Sequence, residues 1–297
     1  MKILLLGSGG QIGKCLSDQL IQTKNEVIYS TRSDIDIVDL QSTLKYILQI
    51  RPDVIINAIA YTSVDAAEEN EVDVNLVNNI AIDNIARICK KINCLLVHFS
   101  SDYVFDGMSK SPYKENSITN PLSVYGKSKL DSEIVIQATN CRFIIIRTGW
   151  VYSEYGNNFL KTMLKLADNN NEINVVKDQL GCPTYAQDIA ISVVSMINKV
   201  QDHEEFLGIY NYCGDTCCSW YDFCINIFNN TIDYNLSTPD IINAISTEEY
   251  PTLATRPKYS ELSCKKIMTN FNIFPSSVEL GILNTLKAIK NSEFKDN

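Results

Sequence analysis

The feature that most constrains the fold is the glycine-rich segment GSGGQIG at residues 7–13, which directly follows the apolar run ILLL at residues 3–6. Residues 11–22 then carry apolar side chains at helical spacing. A strand, a tight glycine turn and the start of a helix form an anion site, because the free N–H groups of the first helical turn point at a bound phosphate. The segment therefore predicts a dinucleotide site, whose pyrophosphate contacts would be Gly7, Gly10, Gln11, Ile12 and Gly13.

The glycines follow the spacing G-x-x-G-x-x-G, which differs from the more familiar G-x-G-x-x-G, although Gly9 occupies an additional position. The alternative interpretation is a glycine-rich turn between a strand and a helix that binds no ligand. The segment lies at the first turn of an alternating strand and helix pattern, and this position favours the dinucleotide site.

The first half of the chain alternates short β runs with amphipathic stretches of helical period. Strands are predicted at residues 2–6, 26–31, 54–57, 95–100 and 143–147, and helices at residues 11–22, 41–50, 76–91 and 123–138. Such alternation is typical of right-handed crossovers and hence of an α/β fold with a doubly wound parallel sheet. Ligands of such sheets bind beyond the carboxyl ends of the strands, which is where we expect the site.

After Trp150 the pattern is less regular. Helices are predicted at residues 158–168, 187–199, 221–228 and 277–290, with strand-like runs at 174–177, 209–213 and 242–246. Residues 291–297 are polar, and we expect them to fray. The pattern indicates a dinucleotide-binding domain over residues 1–150. Residues 151–297 would form a smaller, mainly substrate-binding region that is interleaved with the last elements of the sheet.

Composition disfavours several other classes of protein. The net charge of −9 argues against a nucleic-acid partner, and no apolar run approaches the roughly 20 residues that cross a bilayer, so no membrane partner is expected. The apolar start of the chain is too short for a signal peptide. The ten cysteines include no C-x-x-C pair and the chain has two histidines, which gives no zinc spacing. Reduced thiols and a cytoplasmic location are therefore expected.

A second motif, YGKSK at residues 125–129, places Tyr125 and Lys129 on one face of a predicted helix. Reduction of a ketone by hydride needs a proton for the developing alkoxide, and a phenol can supply it. A lysine ammonium at about 4 Å would favour the phenolate by about 4 kcal/mol at an effective dielectric constant of about 20. We therefore expect Lys129 to lower the pKa of Tyr125. The alternative is a surface tyrosine and a lysine on an ordinary helix.

Two serines, Ser100 and Ser101, lie at the end of the strand predicted over residues 95–100. A hydroxyl at this edge can donate a hydrogen bond to a substrate carbonyl oxygen and align it with Tyr125. Ser101 is the preferred candidate and Ser100 the competitor, and the alternative for either is a serine that caps the following turn. Together with the glycine segment, these residues predict hydride transfer between a nicotinamide cofactor and a carbonyl substrate.

Longer motifs carry a resemblance to a known family. The segment SSDYVFDG at residues 100–107, followed by YGKSKL at residues 125–130, resembles the extended short-chain dehydrogenase/reductases and is most similar to the dTDP-4-dehydrorhamnose reductases. Further matching segments are NAIAYTSVD at residues 57–65, RTGWVY at 147–152, DQLGCPT at 178–184 and ATRP at 254–257. The resemblance extends from residue 1 to about residue 260. The SSDYVFDG segment is specific to this branch, whereas the glycine and Tyr–Lys motifs identify only the superfamily.

The resemblance implies a Rossmann-like fold and an enzyme that reduces the C4 ketone of a nucleotide-linked 6-deoxy-4-keto hexose, giving dTDP-L-rhamnose for surface polysaccharide. Carried onto this chain, it implies a catalytic set of Ser101, Tyr125 and Lys129. Dehydratases of the superfamily have an Asp-Glu pair just after the serine or threonine, so Asp102-Tyr103 argues against elimination chemistry. The substrate-binding residues implied are Asp102, Tyr103, Trp150, Asn158 and Arg256, the last as a partner of phosphate or base.

The end of the second predicted strand bears on the choice of cofactor. An acidic residue there would hold the free ribose 2′-hydroxyl of NAD, whereas an arginine suits the 2′-phosphate of NADP. Arg32 directly follows the strand predicted over residues 26–31 and favours NADPH, although Asp34 and Asp36 keep NADH as an alternative. Asp39 and Leu40 resemble the family's adenine-contacting segment, with a turn before the next helix as the alternative. The residues expected to line the cofactor after the third strand are Ala58, Ala60, Tyr61 and Thr62.

Position 15 departs from the pattern of some relatives, which carry a glutamate there for a magnesium-linked dimer. Cys15 is a poor ligand for a hard cation, so no metal is predicted, and a homodimer is expected only from the family resemblance.

Two alternatives to this reductase stay open. One is the same chemistry on a 4-keto sugar carried by UDP or GDP, and the other is a non-catalytic regulatory subunit resembling that of methionine adenosyltransferase.

Overall fold

The computed structural model describes residues 1–293. The strands of this part of the chain are β1 (Lys2–Leu6), β2 (Glu26–Ser30), β3 (Val54–Asn57), β4 (Leu95–Ser101), β5 (Arg142–Thr148), β6 (Val151–Tyr152), β7 (Glu172–Val176), β8 (Leu180–Gly181), β9 (Thr184–Tyr185), β10 (Gly208–Asn211), β11 (Cys218–Ser219) and β12 (Ile241–Ile245). The helices are α1 (Gln11–Leu20), α2 (Leu40–Ile50), α3 (Val64–Glu69), α4 (Glu71–Asn75), α5 (Ala81–Ile92), α6 (Val124–Thr139), α7 (Phe159–Ala167), α8 (Ala186–Val200), α9 (Trp220–Asn229), α10 (Lys265–Phe271) and α11 (Val278–Glu293).

The predicted doubly wound parallel sheet is confirmed. Six parallel strands lie in the order β2-β1-β3-β4-β5-β10. Strand order reverses between β1 and β3, and the crevice at such a reversal is where ligands of open α/β sheets bind. Gly7 leaves β1 at this point with a φ of +79°, and a side chain there would collide with the backbone of Ala58 beyond β3.

The core lies on both faces of the sheet because successive side chains of a strand point to opposite sides. In β1, Ile3 and Leu5 pack with α1 and α8, whereas Leu4 and Leu6 pack with α2 and α5. All four side chains are at most 1% exposed. This burial on both faces is the reason that the strand is continuously apolar instead of alternating.

The helices begin close to their predicted positions, where side chains satisfy free backbone N–H groups. Asp39 accepts hydrogen bonds from two N–H groups in the first turn of α2, and Ser123 accepts one from Gly126 at the start of α6. The helix predicted over 76–91 begins earlier, because α4 is joined to α5 by a π-helical turn over Leu76–Ile80. Acidic residues in the first turn of α4 suit the positive end of the helix dipole.

The second half of the chain contributes β10 to the main sheet, beside β5, as the sequence pattern predicted for residues 209–213. Helices α8 and α10 also pack in the core of the main sheet. The remaining elements form a smaller unit in which β7 pairs with β12. The core of this unit includes the buried side chains Tyr152, Phe223, Ile282 and Leu286. Helices α3 and α10 were not predicted.

The predicted fraying of residues 291–297 is wrong for its first three positions, because α11 continues to Glu293. The remainder of that prediction falls outside the described residues. None of the helices between residues 1 and 293 has the length and apolarity needed to cross a bilayer.

Candidate active site

A cavity of about 580 Å³ opens at the carboxyl edge of the sheet, around the ends of β1, β3, β4 and β5. It brings together all three predicted catalytic residues, Ser101, Tyr125 and Lys129. The other predicted site residues on its wall are Gly10, Gln11, Ile12, Ala58, Ala60, Thr62, Asp102, Tyr103, Trp150 and Arg256. Residues that are far apart in the sequence meet here because parallel strands end at a common edge.

Tyr125 lies in the first turn of α6, and burial raises the pKa of its phenol to about 12. The nearby carboxylate of Asp102 raises the pKa further, whereas the hydrogen bond with Ser101 lowers it. The net shift of the Tyr125 pKa is therefore opposite to the lowering that the sequence analysis expected from Lys129. The phenol is protonated at neutral pH, which is the form that can donate a proton to an alkoxide.

Lys129 lies one turn further along α6, and its side chain is 2% exposed. Burial lowers the pKa of its amine to about 8, while the carboxylate of Glu133 acts in the opposite direction. Its Nζ atom lies 3.4 Å from Nε2 of the buried His98. The lysine is thus held against the sheet by a histidine that the sequence analysis did not single out.

The two serines at the end of β4 have different tasks. Ser100 Oγ donates to Glu133 Oε1 at 2.5 Å, and Glu133 is also paired with Arg147 at 2.7 Å. Ser101 Oγ donates to Asp102 Oδ1 at 3.0 Å, and its hydroxyl lowers the pKa of the neighbouring Tyr125. The geometry therefore favours Ser101 over Ser100 as the hydroxyl that acts beside the phenol.

Polar atoms without partners mark the wall of this cavity. Asp102 is buried, and burial raises the pKa of its carboxyl to about 6. Ser260 opposes this shift, but Asp102 Oδ2 and Thr148 Oγ1 make no hydrogen bond of ordinary geometry within residues 1–293. Gly149 makes room for the carboxyl, because a side chain at that position would collide with Asp102. Buried polar atoms of this kind fit a polar ligand that satisfies them.

A second cavity of about 810 Å³ lies over the turn between β1 and α1, and its wall includes Gly7, Arg32, Ala58, Ala60 and Tyr61. Gly13 does not line either cavity. It lets α1 approach the turn, because a Cβ at this position would collide with the carbonyl oxygen of Gly7. Thus Gly13 shapes the turn, whereas Gly7 and Gly10 face the cavities.

Besides Gly13, three predicted contacts are not placed on the wall of either cavity. Asp39 caps α2, and Leu40 is 43% exposed. The second cavity is lined instead by Ile37 and Val38. Asn158 caps α7 by accepting the N–H of Lys161, and its amide nitrogen donates to Gln11 Oε1 at 3.0 Å. An amide or carboxylate at a helix start serves its own backbone first, which explains both cases.

Arg256 lines the cavity that contains Ser101, Tyr125 and Lys129, which we call the catalytic cavity. Its guanidinium is already paired with Asp65, with Nη2 at 2.7 Å from Oδ2. The partner aspartate belongs to α3, which the sequence analysis did not predict.

Trp150 adopts a φ of +51° and stacks on Trp220, with ring centroids 3.4 Å apart. Trp220 lies at the first position of α9, and no motif signalled that it would face Trp150.

Between residues 1 and 293, no group of three or more histidine, cysteine, aspartate or glutamate side chains is arranged to hold a metal ion. Cys15 is buried, and burial raises the pKa of its thiol to about 12. All ten cysteines are free thiols.

The comparisons with known proteins agree with this site. The family model described as the RmlD substrate binding domain matches residues 1–291. A dTDP-4-dehydrorhamnose reductase of Aggregatibacter actinomycetemcomitans is 41% identical over 95% of this chain and 97% of its own length. The crystal structure of a dTDP-4-dehydrorhamnose reductase from Clostridium acetobutylicum has a TM-score of 0.90 at 35% identity, covering 98% of this chain and 100% of that chain.

A second crystal structure, of dTDP-4-dehydrorhamnose reductase from Bacillus anthracis in complex with NADP, has a TM-score of 0.88 at 32% identity. It covers 97% of this chain and 99% of that chain. The matches extend over almost the whole chain, including both the glycine turn and the catalytic cavity. This chain therefore belongs to the dTDP-4-dehydrorhamnose reductase family of the extended short-chain dehydrogenase/reductases.

Proposed function

We propose that this enzyme reduces the C4 ketone of dTDP-4-keto-L-rhamnose to dTDP-L-rhamnose, with NADPH as the reductant. The observation that carries the proposal is one cavity in which Ser101, Tyr125 and Lys129 meet beside a glycine turn. The names of the relatives support the substrate, and the complex of the Bacillus anthracis enzyme supports the cofactor.

The residues of the second cavity fit a dinucleotide. Gly7 and Gly13 allow the turn and α1 to pack closely, because a side chain at either position would collide with neighbouring backbone. The free N–H groups of the first helical turn can then face a pyrophosphate. Arg32 presents a cation at the cavity wall. Asp34 instead accepts hydrogen bonds from the N–H and hydroxyl of Thr31, each at 2.8 Å. This arrangement supports NADPH, while Asp36 on the same wall keeps NADH as an alternative.

Bound NADPH would supply the hydride, and the chain's own residues would manage the proton. Tyr125, protonated at neutral pH, donates to the carbonyl oxygen as it gains negative charge. Ser101 donates a second hydrogen bond to the same oxygen and fixes its position. A protonated Lys129 stabilises the phenolate that remains, because the low dielectric of the buried site strengthens their attraction.

A third cavity, of about 490 Å³, adjoins the catalytic one and shares Phe159, Trp220 and Arg256 with it. We assign the sugar to the catalytic cavity, beside Asp102, Tyr103 and the Trp150–Trp220 stack, and the nucleotide to this adjoining space. Most of the third cavity's wall comes from residues after 150. This supports a dinucleotide-binding domain over residues 1–150 and a mainly substrate-binding region over residues 151–297.

Replacing Gly13 tests the glycine turn. We expect Gly13→Ala to weaken NADPH binding by about tenfold or more, because the new methyl group must displace the Gly7 carbonyl and overpacking of this kind costs ~1–3 kcal/mol. Fluorescence titration with NADPH measures the change. The matched control is Ser17→Ala, one turn further along the same helix, which should bind NADPH as the parent does. Equal affinity in the Gly13 variant would contradict the assigned turn.

Replacing Arg32 tests the choice of cofactor. Arg32→Ala removes a charge-assisted hydrogen bond to the 2′-phosphate, so we expect the preference for NADPH over NADH to fall by about 10- to 100-fold. The kcat/KM values with the two cofactors give the ratio. Lys91→Ala removes a positive charge from the exposed end of α5 and should leave the ratio unchanged. A ratio that is also unchanged in Arg32→Ala would remove Arg32 from cofactor selection.

The substrate is tested by the loss of NADPH absorbance with one 4-keto sugar offered on three nucleotides, dTDP, UDP and GDP, beside a sample without sugar. We expect rapid oxidation with the dTDP sugar. Oxidation with only the UDP or GDP sugar would replace the proposed substrate by the corresponding alternative. NADPH binding without oxidation of any sugar would favour the regulatory subunit.

Two further predictions concern the cellular location and the oligomeric state of the enzyme. A cytoplasmic location and a homodimer stay predictions from the sequence. Mass measurement by light scattering tests the second of them.

A further inference from the structure

His98 is a buried side chain that the proposed reaction does not yet use. It lies in β4, and its ring is 1% exposed. Its Nε2 atom is 3.4 Å from Nζ of Lys129. Which of the two ring nitrogens carries the proton therefore decides what the lysine faces.

The Nδ1 atom of His98 is an acceptor. Asn57 Oδ1 accepts the N–H of Ile59 at 3.2 Å, which fixes the orientation of the amide. The amide nitrogen of Asn57 then faces His98 Nδ1 at 3.1 Å. An amide nitrogen can only donate, so Nδ1 must be unprotonated.

The Nε2 atom consequently carries the proton of a neutral ring. Burial, and then the charge of Lys129, hold the pKa of His98 well below its usual value, so the ring is not an imidazolium. Ser132 Oγ lies 3.1 Å from Nε2, and its own hydrogen goes to the carbonyl of Lys129 at 2.6 Å. Ser132 can therefore accept the Nε2 proton, and the network Asn57–His98–Ser132 is consistent in every donor and acceptor.

Lys129 Nζ thus faces an N–H group. An ammonium has three donors and no acceptor, whereas an uncharged amine has a lone pair that can share the Nε2 proton with Ser132 Oγ. The carboxylate that favours the ammonium, Glu133, is shared with Arg147 and Ser100. The other titratable groups on the cavity wall are Asp102, Tyr103, Tyr125 and Arg256. Burial also lowers the pKa of Lys129 to about 8.

We propose that His98 is a positioning residue that favours the uncharged form of the Lys129 amine, so that in alkaline solution Lys129 takes up a proton from the buffer when the dinucleotide binds. The dinucleotide brings acceptor oxygens and negative charge close to Lys129 Nζ, and both favour the ammonium form of the lysine. The inference rests on the proposed use of NADPH. Above neutral pH, cofactor binding is then the step that charges the lysine fully for catalysis.

The first test is isothermal titration of NADPH into the enzyme in two buffers of different ionisation enthalpy. At about pH 8.5 we expect an uptake of about three quarters of a proton per NADPH, and close to none at about pH 6.5. Lys129→Met should abolish the uptake. Asn57→Asp should reduce it several-fold, because a carboxylate would accept the Nδ1 proton and leave a lone pair on Nε2 for the ammonium.

NADPH binding without proton uptake at the higher pH would overturn the inference while leaving the proposed cofactor intact. Failure of both NADPH and NADH to bind would overturn the proposed function and this inference together. A second measurement needs no cofactor and no variant that disturbs the site. The ring ¹⁵N spectrum of the His203→Gln enzyme reports His98 alone, since the chain has two histidines. We expect a proton on Nε2 only, and a proton on Nδ1 would overturn the proposal.

Discussion

Tyr125→Phe is expected to reduce kcat by about 10²- to 10⁴-fold, the range in which a general acid contributes. The substitution keeps the buried ring and its edge contact with Tyr103, whose centroid is 5.8 Å away. It removes only the hydroxyl that donates the proton. Steady-state kinetics measures the loss, and fluorescence titration should show that NADPH still binds with its original affinity.

A matched control separates the loss of the proton donor from the loss of a buried hydroxyl. Tyr210 lies on the edge strand β10, and its hydroxyl donates to the carbonyl of Phe206 at 2.8 Å. We expect Tyr210→Phe to lose little activity. A Tyr125→Phe enzyme with a kcat close to that of the parent would exclude Tyr125 as the proton donor.

Arg147→Met is expected to lower the free energy of unfolding by about 3–5 kcal/mol, because it leaves the carboxylate of Glu133 buried without its counter-ion. Two hydrogen bonds join these side chains, at 2.9 Å and 2.7 Å. Both residues are at most 3% exposed. The pair ties β5 to α6, the helix that carries Tyr125 and Lys129. Urea denaturation monitored by circular dichroism gives the change.

The control for this prediction is an ion pair of the same residue types on the surface. Arg87 pairs with Asp83 at 2.8 Å within α5, and its side chain is 70% exposed. Arg87→Met should leave the free energy of unfolding nearly unchanged, because water already screens the exposed pair. If the Arg147 variant were no less stable than the Arg87 variant, the buried pair would not be what holds α6 against the sheet.

The central sheet could be predicted from the sequence because its strands are buried on both faces and separated by helices of regular period. Predicted and observed bounds agree for β1 and β3, and β4 is one residue longer than predicted. The residues of such a strand are mostly apolar, so its burial on both faces can be inferred from the sequence. The short α3 gives no comparable signal, since one buried residue, Ala67, does not make a period.

The catalytic residues could be predicted for a related reason: they follow strand ends or share one face of a helix. The pKa of Tyr125 could not be predicted, because burial and the orientation of Lys129 depend on the packed structure. Likewise, nothing local announces that Asp65 pairs with Arg256 across 191 positions of the chain. Sequence motifs indicate which groups are available, whereas their electrostatic environment comes from tertiary contacts.

Asn158 and Asp39 illustrate the limit of transferring contacts by resemblance. Both occupy the residue before a helix, and both side chains accept hydrogen bonds from that helix. Asparagine and aspartate are common at such positions irrespective of function. Helix capping alone therefore explains why asparagine and aspartate occupy positions 158 and 39.

The most direct test of the account is the reaction carried out in D₂O with dTDP-4-keto-L-rhamnose and unlabelled NADPH, followed by NMR of the product. If the hydrogen at C4 comes as hydride from the cofactor and Tyr125 delivers a proton only to oxygen, the product is dTDP-L-rhamnose with protium at C4. Deuterium at C4, or a product whose C4 remains a ketone, would contradict it.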